Sequence, residues 1–219
     1  MRWIGRTLRS SALALAITAA LGAPAARAVD WLVFLVDRSN SIDGRELLLQ
    51  RSAYVRLLSD PEVIRALGGA KVAIVEFDTR PEIVVEWTDA ASAAATYGDK
   101  QPLALRGQTG IGHAITTALT LLVGKSGHMV IDVSGDGREN VDSDTLARAR
   151  AAAAERAIEI NGLAILNDDI PNLDAYYSRE VVTGFVLPVE GRDDFYRALK
   201  RKLFFEVAQR ARKNVIVAR

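Results

Sequence analysis

The chain has 219 residues, 49 % of them apolar, which favours one domain with a single hydrophobic core. It contains no cysteine, so a disulfide frame and thiolate chemistry are excluded. The formal net charge of +1 depends on the first 28 residues, which hold four arginines and no acid. The remaining chain has 24 basic and 27 acidic residues and no basic cluster interleaved with aromatics, which argues against nucleic-acid binding.

The first 28 residues have the order of a secretory signal peptide. Three arginines precede the apolar stretch ALALAITAALGAPAA, and the small residues of ARA follow it. We therefore predict cleavage after Ala28 and a mature domain, residues 29–219, that is periplasmic or secreted from a bacterium. A retained membrane anchor is the alternative, which the shortness of the apolar run disfavours. No later stretch is long and apolar enough to span a bilayer.

The first half of the mature chain alternates strand and helix patterns. The nearly continuous apolar run at 30–36 predicts a strand buried on both faces. A helix is predicted over 43–59, with a buried face formed by Leu47, Leu48, Tyr54, Val55 and Leu58. A short helix follows between Asp60 as cap and Gly68 as stop. Only four residues separate the strands predicted at 71–77 and 82–87, so these two form an antiparallel hairpin.

The second half continues the alternation. The pattern predicts helices over 111–123, 143–156, 173–177 and 192–209, and strands over 128–134, 158–166 and 184–189. The last helix has a predicted buried stripe of Phe195, Leu199, Leu203 and Val207, and the apolar tail 213–219 is either a strand or a frayed end. These elements predict a three-layer α/β/α sandwich with a mostly parallel six-stranded sheet and one antiparallel edge strand.

Polar side chains collect where open α/β sheets carry their functional residues, at the carboxyl ends of strands. DRSNS (37–41) follows the first strand, RGQTGIG (106–112) leads into a helix, and GDGREN (135–140) follows a later strand. Together they supply the oxygen donors Asp37, Ser39, Ser41, Thr109 and Asp136. Such donors suit Mg²⁺, Ca²⁺ or Mn²⁺ and do not suit zinc or copper. Taken alone, residues 37–41 could also be a turn with a helix cap.

These three segments resemble the metal-ion-dependent adhesion site of von Willebrand factor A domains. That site has D-x-S-x-S after a first buried strand, a Thr in a Gly-flanked loop, and Asp-Gly after a later strand, and all five expected ligands occur here in order. Further segments resemble a bacterial subfamily of exported proteins of unknown function with the same fold: LQRSAYVRLLSDPEVI, VIDVSGDGREN, INGLAIL, AYYSREVV and DDFYRALKRKL. The resemblance covers essentially the whole mature chain.

The resemblance implies a role for each ligand. Ser39 and Ser41 would bind a divalent cation directly, with Mg²⁺ favoured over Ca²⁺ or Mn²⁺. Asp37 and Asp136 would lie at or just outside the coordination sphere and hold metal-bound waters, and Thr109 would bind directly or through water. A Glu or Asp carboxylate of an unknown protein partner would fill the open position. The implied function is a non-enzymatic, adhesion-type protein-binding module, and the sequence predicts no oligomeric state.

Two other functions stay open. An Mg²⁺-dependent phosphoryl-transfer enzyme could use Asp37 as nucleophile, although that chemistry favours more carboxylates and a lysine near the phosphate. The second alternative is a scaffold whose metal site is empty, and the complete ligand set argues against it. GKS at 124–126 lacks the glycine spacing of a phosphate loop, and neither histidine lies in a nucleophile-elbow pattern.

Two further polar residues lie close to these segments. Asp132, inside a predicted strand, is expected to support the metal site from behind the ligands or to be satisfied by neighbouring backbone. Asn140 is expected to order its loop or to cap the next helix, and Gly110 to allow tight packing of loop against helix.

Overall fold

The computed structural model describes residues 29–42, 44–101, 107–190 and 194–217, with the backbone alone for 209–217. The predicted signal peptide, residues 1–28, lies outside this range. The elements in chain order are β1 (Trp31–Asp37), α1 (Gly44–Ser59), α2 (Pro61–Leu67), β2 (Lys71–Phe77), β3 (Glu82–Thr88), α3 (Ala90–Asp99), α4 (Ile111–Leu121), β4 (Met129–Gly135), α5 (Ser143–Glu155), β5 (Glu159–Leu166), α6 (Leu173–Tyr176), a π-helical turn (Tyr177–Val181), β6 (Val186–Glu190) and α7 (Phe195–Val217). Within the described ranges, no helix has the length and apolar character needed to cross a membrane.

The six strands form one sheet in the order β3-β2-β1-β4-β5-β6. All neighbours pair in parallel except β3, which pairs antiparallel with β2 at one edge. α1, α2, α3 and α7 pack on one face of the sheet, and α4, α5 and α6 with its π-helical turn pack on the other. Because both faces are covered, β1 is apolar from Trp31 to Val36, as is typical of strands in parallel sheets. The predicted three-layer sandwich with one antiparallel edge strand is confirmed.

The helix termini follow their sequence signals closely in α2. Asp60 accepts a hydrogen bond at 2.8 Å from the backbone N–H of Glu62, and Pro61 is in the first turn. The helix ends at Gly68, whose left-handed backbone has φ of 58°, a conformation that glycine adopts without a steric penalty. Side-chain cap, proline and glycine therefore fix both ends of this helix as predicted.

Two features of the predicted helices are wrong. Leu48 is 55 % exposed, because the buried stripe of α1 runs through Leu47, Arg51, Tyr54 and Leu58 at helical spacing and leaves Leu48 to one side. The strand or frayed end predicted for the C-terminal tail is wrong for residues 213–217, since the backbone of α7 stays helical through Val217. The predicted start of that helix, residue 192, lies outside the described residues.

A buried charged network joins α7 to the sheet. Lys202 has no exposed surface, and its Nζ lies 2.6 Å from Oδ1 of Asp132 and donates at 2.7 Å to Oε1 of Glu206. Asn161 on β5 donates to the same Glu206 oxygen at 3.0 Å. The expectation that Asp132 supports the metal site or is satisfied by backbone is wrong, because Asp132 lies on the face of β4 covered by α7 and pairs there with Lys202.

The network is short of positive charge, with two carboxylates for one ammonium group. Burial raises the pKa of Glu206 to about 7, even though the adjacent Lys202 favours the ionised form. Burial also raises the pKa of Asp132. The network of Asp132, Glu206 and Lys202 is therefore neutral only when one of its two carboxyl groups carries a proton.

Lys202→Met should destabilise the protein strongly, because it leaves two carboxylates without their cation inside the core. We expect the free energy of unfolding to fall by about 3–5 kcal/mol, measured by urea denaturation. The matched control is Lys200→Met, two residues away, which removes a partly exposed pair with Asp60 and Glu62. That change should lower the free energy of unfolding far less, because a solvent-screened pair contributes little, and equal losses in both variants would contradict the buried network.

The raised pKa of Glu206 predicts a pH dependence of stability. Between the unfolded value of 4.5 and the folded value of about 7, the folded state holds the proton more tightly. The free energy of unfolding should therefore fall as pH rises through this range, by on the order of 2 kcal/mol for this group. Denaturation at pH 5 and pH 8 should show a smaller fall in Glu206→Gln than in the wild type. Asp37 titrates in both proteins, so its contribution cancels in the comparison, and identical falls would refute the prediction.

Candidate functional site

Hydrogen bonds and an ion pair hold the loop that follows β1 in place. Oδ1 of Asp37, a fully buried residue, accepts a hydrogen bond at 2.8 Å from the backbone N–H of Ser39. The backbone N–H of Arg38 donates to Phe77 O of β2 at 2.8 Å, and its guanidinium lies 3.5 Å from the carboxylate of Asp78. Arg38 therefore ties the loop to the β2–β3 hairpin and points away from the serines.

Asn140 holds the other two loops together. Its Oδ1 accepts from the backbone N–H of Thr109 at 2.7 Å, and its own N–H donates to the Thr109 carbonyl at 3.1 Å. The prediction that Asn140 orders the loop is confirmed. A Cβ on Gly110 would lie 2.7 Å from the carbonyl oxygen of Asp78, so only glycine allows the loop to come this close to the hairpin.

Four of the predicted ligands lie in one chain of oxygen contacts. Oγ of Ser39 lies 3.1 Å from Oγ of Ser41 and accepts a hydrogen bond at 3.1 Å from Thr109. Ser41 in turn donates to Oδ1 of Asp136 at 2.6 Å. Ser41 is exposed, whereas the other three are buried. Folding therefore brings residues separated by almost a hundred positions in the chain within hydrogen-bond distance.

Asp37 lies behind this chain of oxygens. Its Oδ2 is buried and has no hydrogen-bond partner among the described residues. Burial raises the pKa of Asp37 to about 7, and the nearby charge of Asp136 acts in the same direction. The site thus has a desolvated carboxylate that a positive charge would stabilise.

The oxygens have the spacing and chemistry of a hard-cation site. Octahedral coordination with bonds of 2.0–2.1 Å places neighbouring ligand oxygens about 2.9 Å apart. The Ser39 contacts to Ser41 and Thr109, both 3.1 Å, are close to that separation. In the ranges that the structure describes, no group of three or more His, Cys, Asp and Glu is arranged to hold a metal. The candidate site is therefore built mainly from neutral hydroxyls with two carboxylates.

A cleft of about 490 Å³ opens above these oxygens. Ser41 and Thr109 lie at its base, and its other lining residues are Asn40, Gly107, Gln108, Gly137, Arg138, Asn140, Asp169, Ile170 and Pro171. Arg138 is fixed there, because its Nη2 donates to the Pro171 carbonyl at 2.8 Å and its guanidinium lies 5.4 Å from the Tyr176 ring centroid. Roles for Arg138 and for residues 169–171 could not be predicted from sequence, because loop residues have no periodic pattern.

Comparison with solved structures shows the fold. BatB from Bacteroides thetaiotaomicron superposes with a TM-score of 0.64 at 20 % identity, covering 83 % of this chain and 98 % of that one. The vWF domain of the type V pili tip protein Mfa5 from Porphyromonas gingivalis gives 0.59 at 12 % identity, with 83 % and 96 % covered. Proximal thread matrix protein 1 from the mussel byssus, with a zinc-occupied MIDAS motif, gives 0.65 at 14 % identity. There the alignment covers 83 % of this chain and 46 % of the mussel protein.

No curated protein sequence is significantly similar to this chain. The fold is that of von Willebrand factor A domains, as the structural neighbours show. One family profile, described as protein of unknown function DUF1194, matches residues 28–211, which is most of the chain. The chain therefore belongs to the DUF1194 family, with a von Willebrand factor A-like fold.

Proposed function

We propose that the protein is an exported binding module that uses a divalent cation to capture an acidic side chain of a protein partner. The observation that carries the proposal is the contiguous set of oxygens from Ser39, Ser41, Thr109 and Asp136 at the base of an open cleft. Asp37 completes the set with a buried carboxylate behind it. The module acts by binding, and no bond of the partner is made or broken.

The neutral hydroxyls are the important part of this ligand set. Two serines and a threonine would hold the ion without neutralising it, and Asp37 and Asp136 would orient its waters. When bound, the cation supplies a largely uncompensated positive charge that attracts a carboxylate. Because Ser41 is exposed at the base of the cleft, this is the side from which the partner's acidic residue would approach.

Mg²⁺ is the proposed ion, with Mn²⁺ and Ca²⁺ as alternatives. Hydroxyl and carboxylate oxygens are hard donors, and Mg²⁺ keeps several waters when few protein ligands replace them. The MIDAS motif of the mussel protein holds zinc in its structure, so zinc is included in the measurements below.

The proposed location is the periplasm or the cell exterior. The charge order and apolar run of residues 1–28 support export, and cleavage after Ala28 would release the domain that begins at residue 29. Val29 is fully buried, so the core of the described domain includes the first residue after the proposed cleavage point.

Metal binding by the mature protein is the first test. Calorimetry with Mg²⁺, Mn²⁺ and Ca²⁺, with Zn²⁺ titrated for comparison, should show binding of the hard cations that falls at least about tenfold in Asp37→Ala and in Ser41→Ala. Ser41→Ala is the cleaner variant, since the side chain is exposed and its loss should not disturb the core.

The matched control is Ser52→Ala on α1. Its hydroxyl is also exposed and donates only to the Leu49 carbonyl, at 2.8 Å, so metal affinity should be unchanged. Equal affinity in the wild type and both site variants would refute the site assignment.

Partner capture is the second test. The mature protein, immobilised with Mg²⁺ and exposed to periplasmic extract, should retain a partner that EDTA releases and that Ser41→Ala fails to retain. Replacing the partner's acidic residues one at a time should identify a single carboxylate whose loss abolishes retention, because the cation offers one open position to the partner.

The phosphoryl-transfer alternative makes the opposite prediction. Incubation with p-nitrophenyl phosphate and Mg²⁺ should give no turnover that depends on Asp37. Turnover that requires both Mg²⁺ and Asp37 would replace the binding function with an enzymatic one in which Asp37 is the nucleophile.

A further inference from the structure

Tyr177 is a buried residue whose hydroxyl has no hydrogen-bond partner among the described residues. It opens the π-helical turn after α6, where the N–H of Val182 donates to the Tyr177 carbonyl at 3.0 Å across five residues. Such turns insert one extra residue into a helix and often occur at functional sites. An unpaired buried hydroxyl costs about 1–3 kcal/mol, so its retention needs a reason.

Two glycines leave space for the Tyr177 side chain across β4 and β5. A Cβ on Gly162 would lie 3.0 Å from Cδ1 of the ring, and a Cβ on Gly135 would lie 2.7 Å from the hydroxyl. Gly162 pairs with Val133 in the parallel register, so the two glycines lie on adjacent strands, with Gly135 at the end of β4. The ring therefore lies across the sheet with its hydroxyl directed toward the carboxyl ends of the strands.

The hydroxyl of Tyr177 and Oδ2 of Asp37 both lie close to Gly135, and no hydrogen bond joins them in the structure. The same absent Cβ that would lie 2.7 Å from the Tyr177 hydroxyl would also lie 2.7 Å from Oδ2 of Asp37. That oxygen is the one without a hydrogen-bond partner among the described residues.

We propose that Tyr177 is a positioning residue of the metal site, whose hydroxyl donates to Oδ2 of Asp37 when a cation is bound and then fixes the orientation of that carboxylate toward the cation. The inference rests on the proposed function. Oδ1 is already held by the Ser39 backbone at 2.8 Å, and a donor at Oδ2 would fix both oxygens. Partners of this kind commonly change metal affinity by 10- to 100-fold.

The test is Tyr177→Phe, which removes one oxygen and keeps the ring in place. Mn²⁺ affinity, measured by electron paramagnetic resonance, should fall about tenfold or more. The unfolding midpoint in EDTA should be equal to or above that of the wild type, because an unpaired buried hydroxyl is lost. A residue with only a packing role would lower the midpoint in EDTA and leave Mn²⁺ affinity unchanged, and that result would overturn the inference.

The matched control is Tyr176→Phe, the preceding residue, whose hydroxyl accepts from the Glu139 backbone at 3.2 Å. Its Mn²⁺ affinity should stay within about twofold of the wild type, and a loss as large as that of Tyr177→Phe would overturn the inference. If the wild type binds Mn²⁺ and Tyr177→Phe binds equally, only the role of Tyr177 fails. If the wild type itself binds no Mn²⁺, the proposed function fails and the inference fails with it.

Discussion

The parallel pairing of β1 with β4 is the constraint on which the candidate site depends. Val36 is in register with Ser134, so Asp37 and the loop that contains Asp136 leave the sheet side by side. A parallel arrangement puts both carboxyl ends at one edge, where the loops are free to carry polar groups while the strands remain apolar. Pairing of β1 with β2 at the same edge lets the hairpin carbonyls of Phe77 and Asp78 hold the Asp37 and Thr109 loops.

Buried carboxylates have different surroundings on the α7 face of the sheet and at the carboxyl ends of its strands. On the α7 side, Asp132 and Glu206 share Lys202, so the countercharge is part of the chain and the network fastens α7 to β4 and β5. At the carboxyl ends of the strands, no basic side chain among the described residues lies within ion-pair distance of Asp37. The other donors of the candidate site are mainly the hydroxyl groups of Ser39, Ser41 and Thr109. A buried charge without a protein partner is costly, which is why burial raises the pKa of Asp37, and under the proposed function a bound cation would offset that charge.

The π-helical turn connects this edge to the opposite layer. Tyr177 and Val181 are both buried in this turn. The π-helical turn contains one more residue than a regular helical turn, so it changes which side chains face the sheet. Gly135 and Gly162 have no side chains where the ring passes, and this makes room for a tyrosine beside Asp37. The segment AYYSREVV, which resembled the bacterial subfamily in sequence, thus packs directly against the candidate site.

The sequence by itself determined the order and type of the elements other than α3 and the π-helical turn, the antiparallel edge strand, the caps of α2 and the positions of the five candidate oxygen donors. These follow from local signals, namely periodicity, turn residues and polar groups just after apolar runs. Tertiary structure alone decided the partner of Asp132, the exposure of Leu48, the cleft around Arg138 and the position of Tyr177 beside Asp37. The physical reason is that these depend on contacts between residues 33 to 140 positions apart, such as Lys202 with Asp132 and Arg138 with Pro171, which periodicity within one segment does not encode.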